Sequence, residues 1–383
     1  MVAVVVAWAD AAAVGVAVWR PQSPETAGCR QGLPSVVRLR QRGVRGMPWS
    51  FRACQSVDDD AVPAVVRGPV HGGVGGMVQT AWDADPDARP VLRWLVTVRR
   101  AGAMTPAALM VACHLRWVAD DMRAGADGRF PVVVEQSAVF LPEPPAGEVA
   151  WWVTTGHAAR LVQAGLGLRL DVVDDAWLAG LPHELTDRRI RTGVLEELVA
   201  WPAQTPGFVK PSLAKVDVLA AQWVPDIAVA ARLALDAGAH PATSVQVSDV
   251  RLDLVAEHRV YVLDGRAVAS SPYLVDGASW EPGWDAASRP TETSAARAFA
   301  EAAVASGPSP EALVVDVGLL ASGRWVVVEA NAPWASNPYG CDLRLVVDCV
   351  VAASCGRPAS RWTWSADAHE AAIASTMDPL VAR

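Results

Sequence analysis

The segment ALVVDVGLLASGRWVVVEANA, residues 312–332, holds three residues whose types and spacing could do chemistry together: Asp316, Glu329 and Asn331. Two β-branched runs flank Ser322-Gly323, which reads as a two-residue hairpin loop. That loop sets Asp316 directly opposite Glu329, and Asn331 projects from the same face as Glu329. Opposed like charges with Cβ atoms about 5 Å apart are destabilising unless something neutralises them. A hard divalent cation held by carboxylate and amide oxygens does so, and Mg2+ joined to phosphates is the usual case. The plainer alternative is a solvated acidic edge. Against it, both strands are otherwise almost wholly apolar.

The cations that would complement such a site are unevenly distributed. Of 33 basic residues only Lys210 and Lys215 are lysine, and both fall in FVKPSLAK, residues 208–215. A site that needs a compact ammonium on a flexible stem resists replacement by the planar guanidinium fork. PGFVKP reads as a strand ending at Pro211, with Lys210 at its end and Lys215 in the loop after it. A second hairpin, EHRVYVLDGRAVAS, is turned by Asp264-Gly265, and Glu257, Arg259, Tyr261 and Leu263 share one face by alternation. Arg259 in mid-strand is costly to bury unpaired. It either pairs with an acid such as Glu257 or points at an anionic ligand. Two ammonium groups, a guanidinium, two carboxylates and an amide suit a Mg2+-nucleoside triphosphate, the cations offsetting phosphate charge and the acids holding metal. An acid/base pair acting on a sugar would leave both lysines unexplained. No Walker A or kinase motif set is present, so a different nucleotide fold is expected.

The elements that would position these residues begin near residue 131. PVVVEQSAVFL and EVAWWVTTG read as strands, HAARLVQAGLG as a helix and LRLDVVD as a further strand, an α/β pattern. Alternating runs joined by short turns follow the lysine stretch and suit an antiparallel sheet. The helix DLRLVVDCVVAAS closes this part near residue 356. The organisation expected is an N-terminal extension or extra domain over 1–130, an α/β layer over 131–200, the site-bearing domain over 201–356 and a tail over 357–383. The apolar start, MVAVVVAWADAAAVGVAVW, has Asp10 at its middle and no basic lead, so it reads as a buried strand and an Ala-rich helix rather than a membrane span. HGGVGGM at 71–77 fits no phosphate-loop spacing and reads as a turn.

Composition narrows the class. Hydrophobic residues make up 52% and charged residues 19%, which suits a globular chain. A net charge of −8 with a pI near 5.4 argues against a nucleic-acid partner. The six cysteines form no C-x-x-C pair and read as buried, reduced thiols of a cytoplasmic protein. HELTDR, 183–188, lacks the second histidine of a zinc helix, and no transition metal is expected.

Taken together these motifs resemble the ATP-grasp superfamily, and within it the clade named for one arginine and two lysines, which includes the eukaryotic factor that assembles a translation initiation complex. FVKP with Lys215 resembles the lysine pair, EHRVYVLDG the arginine strand, and VVVEANAPWASNPYGCD the closing metal strand and its loop. The resemblance spans about residues 131–356. It implies an ATP-grasp fold of α+β and α/β character, two α+β subdomains clamping ATP, preceded by an α/β layer. SVQVSDV falls where the adenine-binding hinge runs, so Gln246, Val247 and Ser248, together with Glu257, would join Lys210, Lys215 and Arg259 in holding ATP. Lys210, Lys215 and Arg259 would carry catalysis, and Asp316, Glu329 and Asn331 would hold Mg2+. Trp334, Tyr339 and Asp342 would stand at the substrate mouth, with Asp342 also readable as the N-cap of the last helix. The implied activity is ATP-dependent carbon–nitrogen ligation through an acyl-phosphate, joining a carboxylate to an amine, with a peptide or protein among the candidate substrates. The alternative is a non-ligating ATP-binding assembly factor.

Overall fold

The computed structural model describes residues 105–381 apart from 114, 137–138, 213–215, 217, 281–283 and 356–358. Lys215, the apolar start and the HGGVGGM segment lie outside these residues. All that is described belongs to the unit Arg93–Arg383.

The first layer comprises β1 (Ala108–Ala112), α1 (Arg116–Ala126), β2 (Val132–Glu135), β3 (Val149–Val153) and α2 (Thr155–Gln163). Its strands form a parallel sheet in the order β2-β1-β3. The central strand, ALMVA, is buried at all five positions, as a parallel strand covered on both faces must be. β1 and α1 precede residue 131, so the layer reaches further towards the N-terminus than the segment marked out in sequence. LRLDVVD, expected as a strand, is not one. Asp171 makes a single bridge to Thr363, and the backbone around it bonds to the irregular 362–364 segment rather than to a neighbouring strand.

The second group comprises α3 (His183–Thr186), β4 (Ile190–Val194), α4 (Leu195–Leu198), β5 (Gly207–Pro211), β6 (Gln222–Val224), α5 (Ile227–Asp236) and β7 (Ser244–Ser248). Its strands form an antiparallel sheet in the order β4-β7-β5-β6, with Val209, Val245 and Val247 packed against Leu198 and Ile227. Residues 249–253 then cross to the third group: β8 (Leu254–Leu263), β9 (Arg266–Val275), β10 (Ala278–Ser279), α6 (Pro290–Ala305), β11 (Ala312–Leu320) and β12 (Trp325–Asn331). These strands form a five-stranded antiparallel sheet, β10-β9-β8-β11-β12. A 3-10 turn, Pro333–Ala335, leads to α7 (Leu343–Ser354) and α8 (Ala368–Thr376).

Alternation along β8 divides this sheet's two faces. Val260 and Val262 pack with Val315 and Val317 on Ala296, Ala300 and Ala303 of α6, whose small side chains let the helix approach closely. Tyr261 and Val314 point the other way, into a core shared with Trp152, Trp334 and α7. That core covers only one end of the face, and the polar residues Glu257, Arg259 and Asp316 occupy the other. Residues 357–383, expected as a tail, return to the first layer. There Gln163 donates to Ala371 O at 3.0 Å and Arg160 to Asp378 O at 2.9 Å. Among the described residues no helix is long and apolar enough to cross a membrane. Cys113, Cys341, Cys349 and Cys355 are free and buried.

Candidate active site

Asp316 does stand opposite Glu329 across β11 and β12, but the turn differs from the one expected. Leu320 N–H donates to Arg324 O, and Gly323 takes a φ of 83°, so the loop has three residues, with glycine at the left-handed position. That shifts the register near the turn to Val317↔Val327, and one extra residue, Val328, restores it at Asp316↔Glu329. Val328 is thus a β-bulge.

The charges are arranged in alternation. Arg259 grips Asp316 bidentately, Nε to Oδ1 at 2.9 Å and Nη2 to Oδ2 at 2.7 Å. Asn331 Nδ2 donates to Asp316 Oδ2 at 3.1 Å and to Glu329 Oε1 at 2.9 Å. Lys210 Nζ, from the other sheet, reaches Glu329 Oε2 at 2.6 Å. Two cations and an amide therefore relieve the repulsion between the acids. The pairing left open in sequence resolves to Asp316 rather than Glu257, because β8 and β11 are neighbours and Arg259 pairs with Asp316 in register. Burial pushes Asp316 up to about 6 against the pull of Arg259. Burial acts upward on Glu329 too, but the Lys210 ammonium and its hydrogen bond outweigh it and hold that carboxyl below the usual range.

Arg259 is held from every side. Its Nη1 donates to Asn337 O at 3.1 Å, and the Tyr339 and Tyr273 rings lie 4.9 and 5.5 Å from its guanidinium carbon. The two rings stack on one another, 5.1 Å apart. Tyr261 donates to Ser336 O and Asn337 O, and the Trp152 indole also donates to Ser336 O. These bonds fix the loop that follows β12. Tyr273 has no sequence signal beyond its place in a strand.

Glu257 faces the same side and accepts from Tyr273 OH at 2.5 Å. Burial pushes its carboxyl up to about 7, the tyrosine hydrogen bond pulling the other way. A carboxyl raised from about 4.5 to about 7 on folding contributes stability that is present below the lower value and lost as pH rises through the upper one. Wild type is therefore expected to lose stability relative to Glu257→Gln between pH 5 and 8, by a few kcal/mol at most at ~1.4 kcal/mol per unit. Parallel denaturant titrations across that range would measure it, and a constant difference would contradict it.

The remaining expected positions divide. Gln246 lines a cavity of about 10 Å³ with Lys210, Ser212, Glu329 and Ala330. Val247 points into the core, and β7 has a partner strand on each edge, so its backbone groups belong to the ladders. Ser248 donates to Val250 O at 3.1 Å. Backbone outside the ladders begins after Ser248, in the 249–253 crossing. Trp334 is fully buried, its indole bonded to Asp171 O at 2.7 Å, and is a core residue rather than part of a mouth. Tyr339 packs over Arg259, and Asp342 is the N-cap of α7, accepting from Arg344 and Leu345 N–H.

The donor set fits Mg2+ in kind, since it offers only hard oxygens once the Asn331 amide turns over. Glu329 is the accessible acid, its side chain 32% exposed. Asp316 is fully buried with both oxygens held by Arg259, so it anchors the arginine instead of presenting a free ligand. Among the described residues no group of three or more His, Cys, Asp or Glu could hold a metal.

Residues 185–349 match the ATP-grasp domain, family 2 of the clade named for one arginine and two lysines. No curated protein matches the chain. Among solved structures, D-cycloserine synthetase DcsG is 16% identical, with 64% of this chain and 98% of that one covered and a TM-score of 0.35. An L-amino acid ligase from Bacillus licheniformis is 15% identical, with 64% and 75% covered and a TM-score of 0.38. D-alanyl-alanine synthetase A from Vibrio cholerae is 14% identical, with 66% and 99% covered and a TM-score of 0.38. Likeness this distant carries no argument here, and the family match concerns the clade, not the eukaryotic assembly factor. Residues 185–349 form an ATP-grasp domain of the arginine/two-lysine clade.

Proposed function

We propose that this chain binds Mg2+-ATP between its two antiparallel sheets and uses it to join a carboxylate to an amine. One observation supports this above the others: Lys210 of one sheet and Glu329 of the other meet at 2.6 Å, in line with Asn331, Asp316 and Arg259. The acid and amide that would hold a metal, Glu329 and Asn331, and the cations that would face phosphate stand in the same seam between the sheets, in a domain of matching family.

On this reading the ligand-free pairs are placeholders. Polyphosphate draws Lys210 away from Glu329, and Glu329 and Asn331 become free to hold Mg2+. The metal, when bound, offsets phosphate charge and orients the transferring group. Lys210 faces the phosphates, a role proposed for Lys215 as well, and Gln246 lies against their edge. Arg259, kept rigid by Asp316 and two tyrosines, presents its remaining N–H groups to the transferring oxygens. The carboxylate takes the γ-phosphoryl group and ADP leaves. The amine then attacks the acyl carbon, inorganic phosphate departs and one proton is lost. Closing the sheets over the acyl-phosphate keeps water out.

Thermal-shift titration is expected to show stabilisation that needs Mg2+ and ATP together. Absence of a shift up to millimolar ATP would remove the nucleotide reading. Incubation with ATP and pooled carboxylates, amines and peptides, followed by mass spectrometry, is expected to yield a new amide with stoichiometric ADP. Stabilisation without any amide would point instead to an ATP-binding assembly factor.

A further inference from the structure

The extra residue in β12 decides which way Glu329 faces. Were Val328 paired with Asp316 instead of bulged, the register Val317↔Val327 would continue and set Glu329 opposite Val315. Val315 points into the core under α6. A carboxylate there would be buried among valines, away from Asp316, Asn331 and Lys210. The bulge therefore does more than bend the strand: it reverses the face on which the last three residues of β12 project.

A bulge disrupts the local ladder, and backbone carbonyls left in a core need other donors. Two of them have the same one. Arg188 Nη1 donates to Val327 O at 2.9 Å and Arg188 Nη2 to Val328 O at 2.8 Å. Nη1 also donates to Thr186 O at 2.9 Å, and the residue is 8% exposed. The delivery is local. α3 ends at Asp187 with a left-handed φ of 51°, and the Thr186 hydroxyl bonds to Arg188 O at 2.9 Å. Asp187 itself pairs with Arg324 at the start of β12's approach. Consecutive residues thus dock on the β11–β12 hairpin, one at its turn and one at its bulge. In sequence, HELTDR is notable only for lacking a metal helix.

We propose that Arg188 is a positioning residue for the metal strand: it caps the carbonyls of Val327 and Val328, holds the bulge, and so keeps Glu329 and Asn331 facing Asp316 and Lys210. The flat fork matches neighbouring carbonyls with parallel N–H groups, which a lysine ammonium cannot reproduce. Burial pushes the guanidinium down to about 10, with nearby Glu329 acting to raise it, so it stays cationic at neutral pH. The strand-register half of this inference stands on its own, and the metal half rests on the function proposed above.

The test uses the full chain with Arg188→Met, Arg188→Lys and Arg188→Ala. Without ligand, amide exchange over residues 316–331 is expected to speed up about tenfold or more in Arg188→Met, while the β8–β9 turn keeps wild-type protection. With ADP present, Mn2+ affinity read by paramagnetic resonance is expected to fall about 10–100-fold in Arg188→Met, as for other outer-shell losses. Arg188→Lys should fall between, and millimolar methylguanidinium should restore Arg188→Ala. Wild-type exchange over 316–331 in Arg188→Met overturns the proposal, as does faster exchange spread evenly over the protein with no rescue. If Arg188→Met does not fold, exchange in Arg188→Lys decides the same question. Wild type that binds no Mn2+ with ADP would refute the metal reading alone, and the exchange result would still decide the register.

Discussion

Arg259→Ala is expected to cost the ligand-free protein about 3–5 kcal/mol, the loss typical when one partner of a buried ion pair is removed. Asp316 is fully buried and accepts two of its three hydrogen bonds from that guanidinium. Without it, the carboxylate keeps only the Asn331 amide, and the ring faces of Tyr273 and Tyr339 lose the cation they cover. The buried acid can escape part of this cost by taking up a proton. Its folded pKa, already about 6 in the intact pair, would then rise further above the unfolded value. A raised carboxyl contributes stability at low pH that is lost as pH rises through its folded value. The defect should therefore be mild near pH 4 and full at pH 8. Denaturant unfolding at both pH values would measure it, and Arg259→Ala/Asp316→Asn should recover much of the loss at pH 8. An Arg259→Ala protein as stable as wild type at pH 8 would show that the pair does not support the fold, leaving the arginine to a ligand alone.

The site is legible in sequence where local rules apply and illegible where long-range pairing decides. Asp264-Gly265 is the two-residue turn expected, with φ of 51° and 72°, and the alternation it implies along β8 holds. The Asp316–Glu329 opposition follows in sequence from a two-residue loop that does not exist. A three-residue loop and a one-residue bulge shift the register in opposite senses and cancel, and neither is visible in a run of valines. The partner of Arg259 depends on β8 lying beside β11, and that of Lys210 on two sheets meeting 119 residues apart. No periodicity reports either. β1 escapes a sequence reading for a different reason. Its five residues are apolar throughout, which in a short segment gives no period with which to tell strand from helix. Trp334 reads as part of the mouth because it follows β12, whereas its indole reaches back to Asp171 O in the segment after α2.

Lys210→Arg, the mildest exchange available in a chain that is otherwise almost lysine-free, is expected to weaken Mg2+-ATP binding at least about tenfold, or ~1.4 kcal/mol. Two effects act in the same direction. Beside the ammonium, Gln246, Ser212, Glu329 and Ala330 line a cavity of about 10 Å³, about the space of one water molecule, so the larger planar fork must displace its neighbours to take the same place. Should the side chain still be accommodated, its guanidinium would hold Glu329 through two parallel hydrogen bonds instead of one. On the function proposed, nucleotide binding must separate Glu329 from its cation, so a firmer grip opposes binding. Lys210→Met makes the contrast. It removes the grip but also the charge that faces phosphate, so it should bind Mg2+-ATP more weakly than wild type with no competing pair to break. Calorimetric titration of both variants with Mg2+ and a non-hydrolysable ATP analogue would measure these affinities. Unchanged affinity in Lys210→Arg would mean that any cation suffices at the end of β5, and that the meeting of Lys210 with Glu329 marks a contact between sheets rather than a place for phosphate.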